Sequence, residues 1–192
     1  RYIRRQRQMC IRDRTLSDQL GISNNYNEKE LISGMNQLIV NVNQLQQELV
    51  KVDSLPVYPT KTKSFFFKST TVYHPKNPDL TIGLSNVKRS LFSTPLCYMG
   101  YAGYLNPFTL ESQINSKVPT LNLVTTILHE TAHQMGYASE KEANFIAYQS
   151  AIKNDDPYIR YAGYSFALRY FFSELYAICL LYTSDAADEC SG

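Results

Sequence analysis

Hydrophobic residues recur every three or four positions between residues 27 and 52, while Asn, Gln, Lys and Glu occupy much of the rest. This spacing places the apolar side chains on one face of a helix. Asn25 or Asn27 can cap the start of this helix, and Pro56 lies beyond its end. The pattern therefore predicts a long helix over residues 27–52 that packs across the domain, with a coiled coil as the alternative.

Two stretches have the composition of β-strands. Residues 64–73 contain three consecutive phenylalanines and then threonines, valine and tyrosine, and residues 96–104 are largely apolar and aromatic. We expect a strand in each stretch. The second, interrupted by Gly100 and Gly103, is either an edge strand or an ordinary core strand with these glycines at bulges.

Helical spacing returns in the second half of the chain, over residues 121–135, 139–153 and 160–178. Gly136 follows the first of these segments as a helix terminator does. Together these elements predict an α+β fold, a single and mostly helical domain with a small sheet.

Residues 128–137 read LHETAHQMGY and contain an HExxH motif from His129 to His133. On a helix, histidines four positions apart lie on one face, where both imidazoles can reach one metal ion. Glu130 borders this face, and its carboxylate can take a proton from a water molecule that the metal activates. Because the chain has only three histidines, the arrangement favours a zinc hydrolase over a core helix with two incidental histidines.

Hydrolytic zinc sites take a third protein ligand and leave a fourth position open. The remaining histidine, His74, lies in a proline-containing turn, where a histidine is usually solvated. Glu140 and Glu142 are better placed, but on a helix they point about 200° apart, so only one can face the metal. Ser139 and Glu142 match a capping box. Glu140 is therefore the favoured third ligand, with Glu142 as the alternative.

Several of these residues resemble known families. Glu140 and Asn144 resemble the Glu-x-x-x-Asp pair with which glutamate-zincin peptidases supply and support a third ligand, with Asn in place of Asp. Residues 129–148, with NPFT at 106–109 and RYAGY at 160–164, resemble a bacterial domain-of-unknown-function family of membrane-anchored proteins regarded as zinc-dependent peptidases. The resemblance implies a zincin-like domain with Zn²⁺ as cofactor.

The resemblance also implies a bacterial cell membrane location for the intact parent, through segments missing from this chain. The chain itself has no run of eighteen apolar residues and is expected to be soluble. HExxH peptidases commonly place an edge strand beside the metal helix, where a substrate backbone can add, and residues 98–104 are the candidate. Glu111 and Asn115 are candidates for the cleft. The candidates for oxyanion stabilisation are Tyr158, Arg160, Tyr161 and Tyr164.

Residues 1–14 and 179–192 resemble translated sequencing-adapter read-through, and we interpret them as non-native ends. The alternative is a basic arm and an acidic tail. Of the 19 basic and 17 acidic residues, the first end holds six and one, and the second holds none and three. Residues 15–178 therefore carry thirteen of each and no formal net charge. This balance gives no support to a nucleic-acid partner.

The sequence thus predicts one zincin-like domain over residues 15–178 that hydrolyses peptide bonds in a peptide or protein substrate. His129, His133 and Glu140 would hold Zn²⁺, and Glu130 would act as general base. The alternative is a membrane-tethered binding or sensory module with a structural or vestigial zinc site. The sequence specifies no oligomeric state.

Overall fold

The computed structural model describes residues 16, 20–21, 25–52, 71–73, 81–83, 87–109 and 111–189. Its elements follow in the order α1 (Glu28–Val52), β1 (Thr71–Tyr73), β2 (Thr81–Gly83), β3 (Val87–Arg89), α2 (Ser93–Met99), β4 (Gly103–Leu105), β5 (Ser112–Ile114), α3 (Thr120–Gln134), α4 (Glu140–Ile152) and α5 (Pro157–Glu189). The prediction of a mostly helical α+β domain with a small sheet is confirmed.

The long first helix is confirmed as α1. Asn27 and Glu30 cap it reciprocally, since Asn27 Oδ1 accepts from the Glu30 N–H at 2.8 Å and Glu30 Oε2 accepts from the Asn27 N–H at 2.9 Å. A Cβ on Gly34 would lie 2.8 Å from Phe171 Cε1 on α5, so the two helices approach closely there. α1 therefore packs across the domain against α5. Its buried leucines are Leu31, Leu38, Leu45 and Leu49.

A three-stranded sheet has the order β3-β5-β4, with β3 parallel and β4 antiparallel to the central β5. β1 and β2 form a separate antiparallel pair. The predicted strand over residues 64–73 is present in its described part as β1, and residues 64–70 lie outside the described residues. Because β4 pairs with β5 alone among the described strands, it forms an edge of this sheet.

The prediction of a strand over residues 96–104 is wrong in its first half. Residues 96–99 belong to helix α2, and the sheet is joined only from Gly103 onward. Gly100 adopts φ 77° in the left-handed region, and its N–H donates to carbonyls in the last turn of α2. Gly100 therefore ends a helix and does not form a bulge.

Helix α3 lies at the centre of the fold, where it contacts β4, β5, α4 and α5. Its fully buried residues are Leu123, Val124, Ile127, Leu128 and Ala132. These apolar side chains fix the rotation of the helix, because turning it would expose them to water. The histidines that follow are consequently held on the remaining, partly exposed face.

Helix α5 starts before and ends after the predicted residues 160–178. Pro157 occupies its first position, where the missing N–H needs no partner, and Asp156 Oδ1 accepts from the Tyr158 N–H at 2.9 Å. The helix continues to Glu189, beyond the expected boundary at residue 178. No helix in the described part of the chain is both long and apolar enough to cross a membrane.

Candidate metal centre

Helix α3 brings the two histidines of the HExxH motif together. The Nε2 atoms of His129 and His133 are 3.1 Å apart, and the rings meet edge to face with centroids separated by 4.7 Å. Their side chains are 17% and 14% exposed. One edge of each ring is therefore reachable from solvent while the rest is enclosed by protein.

A tight turn after α3 returns the chain to these histidines. Gly136 adopts φ 97°, and its N–H donates to the His133 carbonyl at 3.0 Å, which ends the helix. Helix α4 then begins at Glu140. Glu140 Oε2 lies 3.1 Å from His129 Nε2, and Oε1 lies 3.4 Å from His133 Nε2. The structure thus brings together the three residues predicted as metal ligands.

Glu142, the alternative ligand, faces elsewhere. Its Oε1 accepts a hydrogen bond from the backbone N–H of Leu16. The expected capping box does not form in the described structure, because Ser139 takes the N-cap position without a side-chain cap hydrogen bond. Glu142 therefore makes a structural contact with Leu16, and not the contact with Ser139 that the sequence spacing predicts.

A carbonyl oxygen fixes the proton position on each histidine. His133 Nδ1 is 2.6 Å from the Tyr137 backbone oxygen, and His129 Nδ1 is 2.8 Å from Asn144 Oδ1. Carbonyl oxygens only accept hydrogen bonds, so each Nδ1 carries a hydrogen, and Nε2 is the ring nitrogen that remains to bind a metal ion. Burial, followed by the nearby His133, lowers the pKa of His129 and favours its neutral form.

The two Nε2 atoms and the Glu140 carboxylate therefore face one another. A tetrahedral metal ion bound at about 2.0–2.1 Å holds its ligand atoms about 3.3–3.4 Å apart, close to the separations seen here. His129, His133 and Glu140 could hold a metal ion, since their ligand atoms all lie within 4.8 Å of one another. Among the described residues no further His, Cys, Asp or Glu joins this group. His74 lies outside the described residues.

Glu130 is buried beside the candidate metal ligands, with 7% of its surface exposed. Burial raises the pKa of its carboxyl to about 7; the nearby His133 opposes this rise and Glu140 adds to it. A Cβ on Gly103 would lie only 3.0 Å from both Cγ and Oε1 of Glu130. The missing side chain at Gly103 thus lets edge strand β4 pack directly against the carboxylate.

The metal group opens into a cleft of about 480 Å³. Strand β4, the segment between β5 and α3, and the middle of α5 form its walls. The Glu140 side chain is 75% exposed, so the donors are accessible from this cleft. Asn115 lines the cleft as expected, whereas Glu111 is paired with Lys88 at 2.6 Å outside it.

The four residues considered for oxyanion stabilisation are not among those that line this cleft. Tyr158 is only 2% exposed, in the hydrophobic core, and Tyr161 packs against that core. Tyr164 packs edge to face on Tyr148 of α4. Arg160 donates to the backbone carbonyls of the turn before α5. These side chains belong to the N-terminal part of α5, and the α5 residues that line the cleft begin at Phe166.

Three residues that the sequence analysis did not single out line the cleft from α5, namely Phe166, Arg169 and Tyr170. Their spacing places them on one face of the helix. The Phe166 and Tyr170 rings meet edge to face at 5.0 Å, and Arg169 Cζ lies 5.4 Å from the Phe166 ring centroid. Helical spacing could have grouped these side chains, but it does not indicate which face of α5 meets the metal helix.

No curated protein matches the chain, and no solved structure matches it. The family described as "Protein of unknown function (DUF3810)" matches residues 11–184. This match includes the three metal-site residues, Glu130 and the walls of the cleft. Because it covers most of the chain, the protein belongs to the DUF3810 family.

Proposed function

We propose that this protein is a zinc-dependent metallopeptidase that hydrolyses peptide bonds. The observation that carries the proposal is the convergence of two imidazole nitrogens and a carboxylate beside buried Glu130, at the wall of an open cleft. Catalytic zinc sites use three protein ligands and keep one position open, whereas structural sites use four. A peptide or protein is the proposed substrate, because edge strand β4 beside the site can pair with an extended peptide backbone. Residues 15–178 carry no net charge that would attract a nucleic acid.

Zinc is the metal that this donor set favours, since two imidazoles and one carboxylate form a frequent hydrolytic zinc site. Two histidines and one carboxylate can also hold ferrous iron, so metal analysis has to include iron. When bound by His129, His133 and Glu140, a zinc ion would polarise the substrate carbonyl and lower the pKa of a water molecule.

The edge strand offers a way to align the substrate. β4 pairs with β5 alone among the described strands, and Gly103 of β4 lines the cleft beside Glu130. An extended peptide can add to such an edge through backbone hydrogen bonds, which are independent of its side chains. The substrate backbone would then run past the three ligands, with one peptide bond beside Glu130.

Glu130 moves the proton in the proposed reaction. Its carboxylate takes a proton from water as the water oxygen bonds to the peptide carbonyl carbon. It returns that proton to the leaving nitrogen as the C–N bond breaks. Burial among α3 and β4 holds the carboxylate in place for both transfers.

The test combines metal analysis with an unbiased cleavage assay. The full chain, Glu130→Gln and Glu142→Gln are purified, their zinc, iron and manganese contents are measured, and each is incubated with a complex peptide mixture that is read by mass spectrometry. We expect one zinc per chain in all three proteins. Cleavage should fall by about 10²–10⁴-fold in Glu130→Gln and remain in Glu142→Gln, which serves as the control.

Two outcomes would contradict the proposal. Undiminished cleavage by Glu130→Gln would remove this residue from the reaction. A folded, zinc-loaded wild type that cleaves no peptide would favour a binding or sensory module with a structural zinc ion.

A further inference from the structure

Among the residues that the structure describes, two cationic side chains line the cleft, and neither belongs to the group of candidate metal ligands. Arg169 belongs to α5, and Lys117 belongs to the segment between β5 and α3. The carboxylates that line the same cleft are Glu130 and Glu140, and both lie at the metal end. The cleft therefore has an acidic, metal-holding part and separate basic groups.

Neither cation forms an ion pair with an acidic residue in the part of the chain that the structure describes. Arg169 is exposed, and its contact is with the Phe166 ring. Arg160, on the same helix, differs, because it donates to two backbone carbonyls and lies 3.8 Å from Glu48. Arg160 thus has a structural role, whereas Arg169 lines the cleft without a carboxylate partner among the described residues.

The charge of the loaded cleft favours an anionic substrate group. With a divalent cation in place, Glu130 and Glu140 balance the metal, and Lys117 and Arg169 leave a net positive charge. The planar guanidinium of an arginine matches a carboxylate with two parallel hydrogen bonds. Stacking on an aromatic ring restrains such a group and lowers the entropy that it loses on binding.

We propose that Arg169, together with Lys117, binds a carboxylate of the peptide substrate and so determines specificity. This inference rests on the proposed peptidase function, which it deepens by naming a substrate class. The carboxylate belongs either to the free C-terminus of the peptide or to an Asp or Glu side chain near the cleaved bond.

A binding experiment tests the proposal without requiring turnover. Dicarboxylic acids from succinate to adipate, and their monoamides, are titrated calorimetrically into the zinc-loaded full chain. At least one diacid should bind about tenfold more tightly than its monoamide, as a charge-assisted hydrogen-bond pair allows. The advantage should disappear in Arg169→Gln, persist in part in Arg169→Lys, and remain in Lys51→Gln, which removes an exposed positive charge on α1 outside the cleft.

Equal binding of each diacid and its monoamide to the wild type would overturn the proposal, as would an advantage that persists in Arg169→Gln. Neither result would affect the peptidase assignment. Conversely, a diacid advantage that depends on Arg169 in a protein without cleavage activity would support the carboxylate site and contradict the peptidase function alone.

Peptide variants distinguish the two sources of the carboxylate. Each cleaved peptide is compared with its C-terminal amide and with versions in which Asp and Glu are replaced by Asn and Gln. Arg169→Gln should raise KM for the peptide that carries the recognised carboxylate and leave kcat and the neutral peptides nearly unchanged. An equal fall of kcat for all peptides would instead place Arg169 at the reacting carbonyl and overturn the specificity role.

Discussion

Asn144 Oδ1 lies 2.8 Å from His129 Nδ1, so the second turn of α4 supports the candidate metal site without supplying one of its three ligand candidates. The contact fixes both the ring orientation and the protonated nitrogen of His129. Nε2 is thereby directed at Glu140, which belongs to the first turn of the same helix. Helix α4 thus carries one candidate ligand, Glu140, and orients a second, His129, through Asn144. Residues that hydrogen-bond to ligands have this supporting role in metal proteins.

Replacing Asn144 should weaken metal binding although this side chain is not a ligand. We expect Asn144→Ala to lower metal affinity by about 10–100-fold, the usual effect of losing such a support. Asn144→Asp should retain the affinity, because a carboxylate oxygen also accepts from Nδ1. Competition with a chromophoric chelator measures the change, with Gln149→Ala on the same helix as control. Wild-type affinity in Asn144→Ala would contradict the supporting role.

The two glutamates of α4 should separate metal binding from stability. Glu140→Ala removes one of three ligands, so the protein should lose most of its metal. Glu142→Ala should keep the metal but unfold at a lower denaturant concentration, because the Leu16 N–H loses its acceptor. Metal content and denaturation curves of both variants provide the measurement. Metal loss in Glu142→Ala but not in Glu140→Ala would show that Glu142, and not Glu140, is the third ligand.

Gly103 should be required for turnover and not for metal binding. A Cβ there would lie 3.0 Å from Glu130 Oε1 and 3.2 Å from the Gln113 backbone oxygen, so Gly103→Ala should displace the carboxylate. A misplaced general base lowers kcat by about tenfold or more. The expected result is a normal zinc content with reduced peptide cleavage.

Gly100→Ala is the matched control for that variant. Its Cβ would meet nothing within 4 Å, but its φ of 77° disfavours a side chain, so it should lower stability by about 1 kcal/mol. Cleavage per folded molecule should stay at the wild-type level. Equal activity in Gly103→Ala and Gly100→Ala would show that the Glu130 contact has no catalytic importance.

The packing of α4 against α5 should be disrupted when one methyl group is added at Gly163. Gly to Ala normally stabilises a helix by about 1 kcal/mol, but a Cβ at Gly163 would lie 2.5 Å from Ala151 Cβ. Overpacking of this kind costs about 1–3 kcal/mol, so Gly163→Ala should lower the denaturation midpoint.

A double variant checks that the cause is this contact. Ala151→Gly removes the opposing methyl group, so the Gly163→Ala/Ala151→Gly protein should be more stable than the sum of the two single effects predicts. Denaturation in urea provides the free energies of unfolding. Strictly additive effects would exclude the Gly163 contact as the cause.

The grouping of the three candidate metal ligands could be predicted from the sequence because these residues are close together along the chain. The spacing of His129 and His133 sets one helix face, Gly136 marks the turn, and Glu140 follows directly. The rationale for Glu140 over Glu142 was nevertheless partly wrong, since Glu142 contacts Leu16 and forms no capping box. These two residues are 126 positions apart, so the spacing of residues near Glu142 could not predict their contact.

The cleft could not be predicted in the same way. The sequence predicts that one of Tyr158, Arg160, Tyr161 and Tyr164 lies near the metal. Arg169 and Tyr170 line the cleft instead. Which face of α5 meets α3 depends on how α5 packs against α1 and α4 as well, and apolar side chains occur on several of its faces. The strand predicted at residues 96–99 failed for a different reason, because Gly100 is equally suited to a bulge and to a helix C-cap.

The turn at Gly136 also bears on the order in which this protein assembles. All three donors lie within residues 129–140, so bringing them together closes only a short loop and costs little chain entropy. Contacts between α1 and α5 span most of the chain and form more slowly for that reason. The three candidate metal ligands on the hairpin of α3 and α4 can therefore come together before α5 completes the wall of the cleft.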